Sequence, residues 1–451
     1  MLVLSFITTQ SAQAQTVTIL HSFNISDGMD PYAGLVQATN GNLYGTTIEG
    51  GANFFGTVFK ITTGGTLTTV HNFAGYPSDG ETSYAVLLQD SNGNLYGTTT
   101  SGGSVGAGTV FRMTLGGTVT ILHNFGSTDG ETPYAGLIQA SNGNLYGTTY
   151  NGGVYNGGTV FKITPTGTLT TLDSFTGSGT EGDFPYGGLV QATNGNLYGT
   201  TYNGGTNGQG TVFEVTPSGT LTTLHDFDLT DGASPYAQLV QATNGNFYGT
   251  TGLGGASGAG TVFKVTPSGT LTSLYSFSGS ADGGDPISGL IQATDGNLYG
   301  TTNSGGASGK GTIFKITPSG TLTTVHSFAG YPSDGDTPQG GLIQDTNGKL
   351  YGTTVSGGAN GFGTVFSLSV GLGPFVETLP TSGKVGAAVK ILGTSLTGAT
   401  SVTFNGTAAT FTVVSSSEIT TTVPTGATTG KVQVVRPGGT LSSNVSFRVV
   451  P

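Results

Sequence analysis

One unit recurs seven times along this chain of 451 residues, and the chain begins and ends partway through a unit. The unit contains the segment Gly-Asn-Leu/Phe-Tyr-Gly-Thr-Thr, in which Lys replaces the second residue in the last copy. Its tyrosines are Tyr44, Tyr96, Tyr146, Tyr198, Tyr248, Tyr299 and Tyr351. Successive tyrosines are 50 to 52 residues apart, and such a period is typical of a solenoid, a propeller or an array.

A single unit, at residues 34–73, is predicted to form four antiparallel strands. An apolar run ends at Asn40-Gly41, a two-residue hairpin signal, and residues 42–47 return from it. Residues 57–62 and 66–73 are rich in Thr, Val, Ile and Phe and are joined by a glycine turn. No stretch of the chain has a sustained 3.6-residue apolar period, so helix is not expected.

The two ends of the repeat region complement each other. Residues 16–23 match only a fourth strand, whereas the last unit stops at residue 370 after its third strand. The orphan strand at the front therefore completes the unit at the back, as a closed ring requires. We predict an all-β fold: a seven-bladed β-propeller closed by the N-terminal strand. A right-handed β-helix with two coils per unit is the alternative.

In the propeller the first strand of each unit lies nearest the axis. The short Asn-Gly and Pro-Ser-Gly turns then share one face, and the longer, variable loops share the other. Binding residues favour loops on a rigid scaffold, so the variable face is the predicted binding face.

Composition excludes several classes of function. Charged residues make up 8% of the chain, the net charge is −11 and the pI is near 4.6, which argues against a nucleic-acid partner. The chain has no cysteine, so it has neither disulfides nor thiol chemistry. No later apolar run approaches the length of a membrane span, and we expect a monomeric propeller without a transmembrane segment.

Both ends differ from the repeat. Residues 1–14 contain a short apolar stretch and Ser-Ala-Gln-Ala before Gln15, which resembles a truncated secretory signal. The predicted domains are therefore a signal segment at 1–14, the propeller at 15–370 and a small β-sandwich at 371–451. The sandwich is predicted from short Val, Thr and Phe strands separated by Gly, Pro and Ser turns.

Two family resemblances follow from these motifs. Residues 16–370 carry the motifs Leu-Tyr-Gly-Thr-Thr, Gly-Gly and Gly-Thr-Val-Phe. With these motifs they are similar to the Gloeo/Verruco (GloVer) tandem repeat of exported bacterial proteins. The C-terminal segment carries three motifs: a Pro-x-x-Gly opening that ends at Gly383, then Ile391-Leu-Gly393, and then Phe404-Asn-Gly406. With these motifs it resembles the IPT/TIG family of immunoglobulin-like domains. The first resemblance implies a secreted or cell-surface protein, and the second implies a spacer or interaction module. Neither implies a biochemical activity.

All five histidines occupy one position of the repeat, in the fourth strand. They are His21, His71, His123, His225 and His326, and Asp173 and Tyr275 take the same position in the other two copies. Fourth strands of different blades are too far apart to share a zinc ion, whose ligands lie about 2.1 Å from it. We expect each histidine to bond within its own blade. The recurring glutamines of the innermost strand, such as Gln37, are expected to bond between blades or into the axial channel.

An acidic residue precedes glycine in every loop from a fourth strand to the next first strand. These residues are Asp27, Asp79, Asp129, Glu181, Asp231, Asp282 and Asp334. Several copies have a second acid close by, and paired carboxylates suit calcium, which takes six to eight oxygen ligands. Ordinary Asp-Gly turn chemistry, which needs no ion, accounts for the same pattern, and so does contact with a ligand.

Two sets of aromatic residues are the candidate ligand-binding residues. Tyr32, Tyr84, Tyr134, Tyr186 and Tyr236 follow the acidic loops, and Phe54, Tyr150, Tyr155 and Tyr202 lie in the Gly-Gly loops. Aromatic faces beside acids suit sugar rings, although packing between blades also accounts for the first set.

These features favour an exported, non-enzymatic binding or scaffold protein whose propeller face binds an extracellular glycan or protein. The alternative is an enzyme acting on extracellular polysaccharide, a glycosidase or a lyase. No catalytic residue is assigned, because no Ser-His-Asp arrangement, phosphate-binding loop or metal-ligand spacing is present. Calcium is the one cofactor considered.

Overall fold

The computed structural model describes residues 15–177 and 179–450. The predicted signal segment at 1–14 lies outside the described residues. The described chain is all-β and consists mainly of small antiparallel sheets of four strands. In this part of the chain no helix has the length and hydropathy needed to cross a membrane.

Seven four-stranded sheets, sheet 1 to sheet 7 in chain order, are built from the repeat, each with the strand order first, second, third, fourth. The first strands are Val36–Gln37, Leu88–Gln89, Ile138–Gln139, Val190–Gln191, Val240–Gln241, Ile291–Gln292 and Ile343–Gln344. The second strands are Leu43–Thr47, Leu95–Thr99, Leu145–Thr149, Leu197–Thr201, Phe247–Thr251, Leu298–Thr302 and Leu350–Thr354. The third strands are Thr57–Ile61, Thr109–Met113, Thr159–Ile163, Thr211–Val215, Thr261–Val265, Thr312–Ile316 and Thr364–Ser369. The fourth strands are Leu67–Asn72, Val119–Asn124, Leu169–Ser174, Leu221–Asp226, Leu271–Ser276, Leu322–Ser327 and, in sheet 7, Thr16–Ser22.

Sheet 7 joins the two ends of the repeat region. Thr16–Ser22 pairs antiparallel with Thr364–Ser369, as the offset of the repeat predicts. In the described part of the repeat region, three pairs of two-residue strands lie outside the main sheets: Gly80–Glu81 with Ser101–Gly102, Gly182–Asp183 with Asn203–Gly204, and Gly335–Asp336 with Ser356–Gly357.

The Leu-Tyr-Gly-Thr-Thr segment is the second strand of each sheet, and each of its side chains has a structural task. Leu43 and Tyr44 are fully buried. A Cβ at Gly45 would lie 2.6 Å from the Phe59 ring and 2.8 Å from a Leu35 methyl group, so only glycine allows the third strand to pack this closely. The same crowding recurs at the equivalent glycine of every sheet.

The first threonine of the segment connects neighbouring sheets. Thr46 Oγ1 donates to the Ser83 carbonyl oxygen of sheet 2 at 3.2 Å, and equivalent bonds follow around the chain. The others are Thr98 to Ala135, Thr148 to Gly187, Thr200 to Ala237, Thr250 to Ser288, Thr301 to Pro338 and Thr353 to Ala33. Because the last of these returns from sheet 7 to sheet 1, the sheets form a closed ring.

Six of the seven recurring glutamines bond between sheets, one of the two outcomes expected for them, while Gln139 donates to the Gly143 carbonyl of its own sheet. Gln89 Oε1 accepts the N–H of Thr39 at 2.9 Å, which joins sheet 2 to the Asn-Gly turn of sheet 1. Five further bonds of this kind are formed by Gln191, Gln241, Gln292, Gln344 and Gln37, at 2.8–3.1 Å. The bond from Thr346 to Gln37 again joins sheet 7 to sheet 1.

Residues 374–450, called here the C-terminal unit, form two further four-stranded sheets around a core of their own. Val389, Ile391, Phe404, Val432 and Phe447 are buried in that core. The strands are Glu377–Leu379, Ser382–Gly383, Ala388–Leu392, Ser401–Phe404, Thr407–Ala408, Phe411–Val413, Glu418–Thr422, Val432–Arg436, Gly439–Ser442 and Arg448–Val449.

The C-terminal unit is docked on the face of the ring that carries the Asn-Gly turns. Ser417 Oγ donates to the Thr39 carbonyl of sheet 1 at 3.0 Å, and an Arg448 guanidinium N–H donates to the Thr193 carbonyl of sheet 4 at 2.6 Å. Two more bonds join Asn444 to the Gln292 carbonyl of sheet 6 and the Phe375 N–H to the Thr346 carbonyl of sheet 7.

Two carboxyl groups lie at this contact. Asp345 is 1% exposed, its Oδ2 has no hydrogen-bond partner among the described residues, and burial raises its pKa to about 6. Glu377, on the C-terminal unit, has its pKa raised to about 7 by burial and by the charge of Asp345. Both pKa values are above those of the free side chains, so the folded chain binds more protons than the unfolded chain between about pH 4 and pH 7.

We therefore predict that the free energy of unfolding falls as the pH rises from 5 to 8, by on the order of 2 kcal/mol. Urea titrations at these two pH values measure the difference. Asp345→Asn combined with Glu377→Gln removes both ionisations and should flatten the profile. A double variant that keeps the wild-type pH dependence would contradict the assignment.

Candidate functional site

A cavity of about 890 Å³ lies on the axis of the ring. It is lined by the segments that lead into the first strands, and all seven sheets contribute. The volume is near the upper end of the range of about 300–1,000 Å³ that is usual for small-molecule sites.

The five tyrosines predicted to follow the acidic loops all line this cavity and contact one another in sequence. Ring centroids are 5.1 Å apart for Tyr32 and Tyr84, 5.1 Å for Tyr84 and Tyr134, and 5.2 Å for Tyr186 and Tyr236, each pair edge to face. Tyr134 and Tyr186 are stacked at 4.5 Å. These residues thus pack between neighbouring sheets, one of the two alternatives for them, and their rings also line the cavity, while contact with a sugar stays a prediction.

Four of these tyrosines, Tyr32, Tyr84, Tyr186 and Tyr236, have raised pKa values, so their hydroxyls are neutral at physiological pH. Burial, together with the neighbouring tyrosines and the acids Glu49 and Asp30, raises the pKa of Tyr84 to about 12. Burial also raises the pKa of Tyr32, Tyr186 and Tyr236. The wall of the cavity therefore offers apolar ring surface with neutral hydroxyl groups that donate and accept hydrogen bonds.

The irregular aromatic residues separate into two pairs. Tyr150 packs on Tyr134 at 5.4 Å, and Tyr202 packs on Tyr236 at 4.8 Å, so both extend the cluster of tyrosines. Phe54 and Tyr155 are 63% and 61% exposed and do not line the cavity.

The opposite wall of the cavity is polar, which sequence reasoning missed. Sheets 6 and 7 carry Ile287 and Gln339 at the tyrosine position, and Asp285 and Asn303 of sheet 6 line the same side, whereas Gln238 of sheet 5 lines the cavity and donates to the Leu189 carbonyl of sheet 4. The signal was present as a departure from the repeat, since five copies carry tyrosine and two do not. The sequence does not show that these replacements lie on one side of a cavity. That follows only from the ring, which places sheets 5, 6 and 7 side by side.

Each of the five histidines bonds to the recurring acid of the loop that follows its strand. The Nε2–H groups donate to the carboxylates at 3.0 Å for His21 and Asp27, 2.9 Å for His71 and Asp79, 2.8 Å for His123 and Asp129, 2.7 Å for His225 and Asp231, and 3.0 Å for His326 and Asp334. Burial alone would raise the pKa of Asp79, but bonds from His71, Ala74 N–H and Gly80 N–H outweigh it and lower the pKa.

Two copies of the repeat have no histidine at this position, and they show what replaces it as the partner of the loop acid. In sheet 5 the Tyr275 hydroxyl donates to Asp282 at 3.0 Å, so a different donor serves the same acid. In sheet 3 an acid, Asp173, faces Glu181, and burial together with the Glu181 charge raises the pKa of Asp173. Glu181 accepts hydrogen bonds from the Thr176 N–H and hydroxyl.

The carboxylates that the sequence offered as calcium ligands therefore accept hydrogen bonds from groups of the protein itself. Among residues 15–177 and 179–450, no group of three or more His, Cys, Asp or Glu side chains is arranged to hold a metal ion. These acids take part in the hydrogen bonds of their own turns, and calcium binding by them stays a prediction.

Another hydrogen-bond donor should be able to replace the histidine that donates to the loop acid. We predict that His225→Ala lowers the free energy of unfolding by about 1 kcal/mol, because Asp231 loses the hydrogen bond from the imidazole and keeps the one from the Asp228 N–H. His225→Tyr should lose much less, because tyrosine serves this position in sheet 5. Denaturant titration of the three proteins measures both effects, and equal destabilisation by Ala and Tyr would contradict the assigned role.

Replacing one acid of the Asp173 and Glu181 pair in sheet 3 should stabilise the protein. Asp173→His is expected to raise the free energy of unfolding at pH 7 by about 1 kcal/mol, because it replaces a repulsive contact by the donor found in five other sheets. The gain should shrink towards pH 4, where protonated Asp173 no longer repels Glu181. Thermal melts at both pH values check this, and an unchanged or lower stability at pH 7 would contradict it.

Comparison with solved structures shows propeller-like neighbours. The extracellular domain assigned to a hybrid two-component system of B. thetaiotaomicron has a TM-score of 0.52 at 14% identity, covering 97% of this chain and 58% of that domain. This chain thus spans a little over half the length of that neighbour. A fungal alcohol oxidase of the AA5 family, solved with copper, has a TM-score of 0.53 at 14% identity, covering 97% of this chain and 99% of the oxidase. Identities this low show a shared fold alone.

No curated protein sequence matches the chain. A family model described as the Gloeobacter/Verrucomicrobia repeat matches residues 5–204 and 188–412. The two matches extend over most of the chain and include all seven tyrosines of the Leu-Tyr-Gly-Thr-Thr segments. This chain belongs to the Gloeobacter/Verrucomicrobia repeat family.

Proposed function

We propose that this protein is an exported, non-enzymatic binding protein whose axial cavity binds an extracellular glycan. The observation that carries the proposal is the convergence of five tyrosines from successive repeats on one cavity. Sugar rings have apolar C–H faces that pack on aromatic rings, while their hydroxyl groups bond to polar atoms at the edge. The cavity supplies both, through the tyrosine wall and through Gln238, Asp285, Asn303 and Gln339.

The proposed architecture is a seven-bladed β-propeller over residues 15–370, followed by an immunoglobulin-like sandwich of the IPT/TIG type over residues 371–451. The seven similar sheets, the returning bonds between sheets 7 and 1, and the separate core of the C-terminal unit support it. A propeller holds its loops in fixed positions around the axis, which suits a binding site assembled from many repeats.

Export is part of the proposal. Membership of the repeat family supports it, since the resemblance noted from the sequence is to exported bacterial proteins, and Ser11-Ala-Gln-Ala14 supports it as a candidate cleavage site. The acidic composition is consistent with a partner other than nucleic acid.

Binding is favoured over hydrolysis by the carboxyl groups at the cavity. A glycosidase uses two carboxyl groups about 5–9.5 Å apart on either side of the sugar bond. Asp285 is the one acidic side chain lining this cavity in the described part of the chain. A single carboxylate suits recognition of sugar hydroxyls better than it suits that mechanism.

A glycan array probed with the full chain tests the proposal, and we expect binding to a defined class of sugar in both calcium and chelator. Tyr84→Ala should weaken that binding at least tenfold, because it removes ring surface from the cavity wall. Tyr76→Ala is the matched control, since Tyr76 is 63% exposed and does not line the cavity. Absence of any glycan binding, or equal loss with both variants, would contradict the proposal and favour a protein ligand.

A further inference from the structure

We infer that the axial cavity is open at one end only and accepts the terminus of a saccharide chain, not an internal stretch of a polymer. The inference rests on the proposed glycan-binding function and specifies which part of a glycan is recognised. It depends on two observations: the position of the C-terminal unit and the unequal walls of the cavity.

The C-terminal unit closes the end of the axis that carries the Asn-Gly turns. It bonds to the turn of sheet 1 through Ser417, to that of sheet 4 through Arg448, and to sheet 7 through Phe375. Sheets 1 and 4 lie on opposite sides of a closed ring of seven. A compact unit that touches both, and sheets 6 and 7 as well, must lie across the axis between them.

This closed end is firmly packed. Phe375 is 3% exposed and Thr346 is fully buried beneath the unit. Thr346 Oγ1 lies 3.1 Å from Thr394 Oγ1, while its N–H donates to Gln37, so the same residue ties sheet 7 to sheet 1 and to the C-terminal unit. A polymer strand therefore has no exit along the axis, and a ligand enters and leaves past the tyrosines.

The two walls then orient the chain end. The tyrosines of sheets 1 to 5 form an aromatic wall, and Tyr150 and Tyr202 extend it in sheets 3 and 4. At the repeat position of Tyr150, sheet 5 carries Gly252 and sheet 6 carries Asn303, so this second row of aromatic rings ends at sheet 4.

Asp285 lies on that polar side. Its Oδ2 accepts the Ser304 hydroxyl at 3.2 Å, and no Lys, Arg or His of the described chain lies within salt-bridge distance of it. A carboxylate without a cationic partner favours hydrogen-bond donors, and the terminal sugar of a chain offers more free hydroxyls than an internal one. The chemistry thus fits a neutral chain end, with its ring on tyrosine and its hydroxyls on Asp285.

Titration calorimetry of the full chain with defined oligosaccharides tests the inference. The probes are linear series of one to six units of β1,4-glucose, α1,4-glucose, xylose, mannose and N-acetylglucosamine, with cyclomaltohexaose as an end-free counterpart of maltohexaose. For any series that binds, we expect the dissociation constant to change less than about twofold beyond the first few units. The stoichiometry should remain one chain end per protein, and cyclomaltohexaose should not bind.

Other outcomes separate the two proposals. Affinity that keeps rising through six units, several proteins on one oligosaccharide, or binding of cyclomaltohexaose would overturn end recognition and leave glycan binding intact. No binding in any series would count against the proposed function itself, and with it this inference.

A substitution on the polar wall provides a second test. Asp285→Asn should weaken binding of the preferred oligosaccharide about tenfold or more, because a charged acceptor is lost. Asn is compatible with the left-handed backbone at this position, where φ is 51°, so the fold is retained. Asp228→Asn, at an exposed acid that does not line the cavity, is the matched control. Equal affinity of wild type and Asp285→Asn would overturn the assigned orientation.

Discussion

Buried apolar side chains and hydrogen bonds join each sheet to the next, and the contacts that return from the last sheet to the first are the most consequential. A four-stranded sheet of short strands has two exposed edges and little core of its own. Here Thr353 bonds to Ala33, Thr346 bonds to Gln37, and Thr16–Ser22 supplies the outer strand of sheet 7. Because the ends of the repeat region are joined, all seven sheets share one axis, and the cavity exists only as a result.

Repetition has a further physical consequence, since it requires every side chain at a repeated position to fit the same local geometry. The paired histidine and loop acid illustrate this, because five copies use histidine, one uses tyrosine and one places two acids together. Variation is tolerated where the donor can be replaced. Side chains that face the axis are less constrained, because they border the cavity and do not pack into the repeated contacts of a single sheet. At such a position sheets 6 and 7 have residues other than tyrosine.

The C-terminal unit gives the ring two different ends. Without it the axis would be open at both faces, and the tyrosine wall would line a passage. With it, a cup is formed, and the contact between the unit and sheet 7 includes Asp345 and Glu377, two carboxyl groups with raised pKa values. The resemblance to IPT/TIG domains suggested a spacer or interaction module, whereas the contacts of Ser417, Arg448 and Asn444 are with the ring of the same chain.

The sequence by itself determined the strands, their order within a unit and the pairing of the two ends, because these follow from local turn chemistry and from the offset of a fifty-residue period. It also identified the five tyrosines, the five histidines and the seven loop acids as recurring positions. It did not determine that His71 and Asp79 are partners, that Tyr150 joins the tyrosine wall while Tyr155 does not, or that Asp285 lines the same cavity as the tyrosines. Those relations join residues from different strands or different sheets, and only the curvature of the ring and the docking of the C-terminal unit bring such residues together.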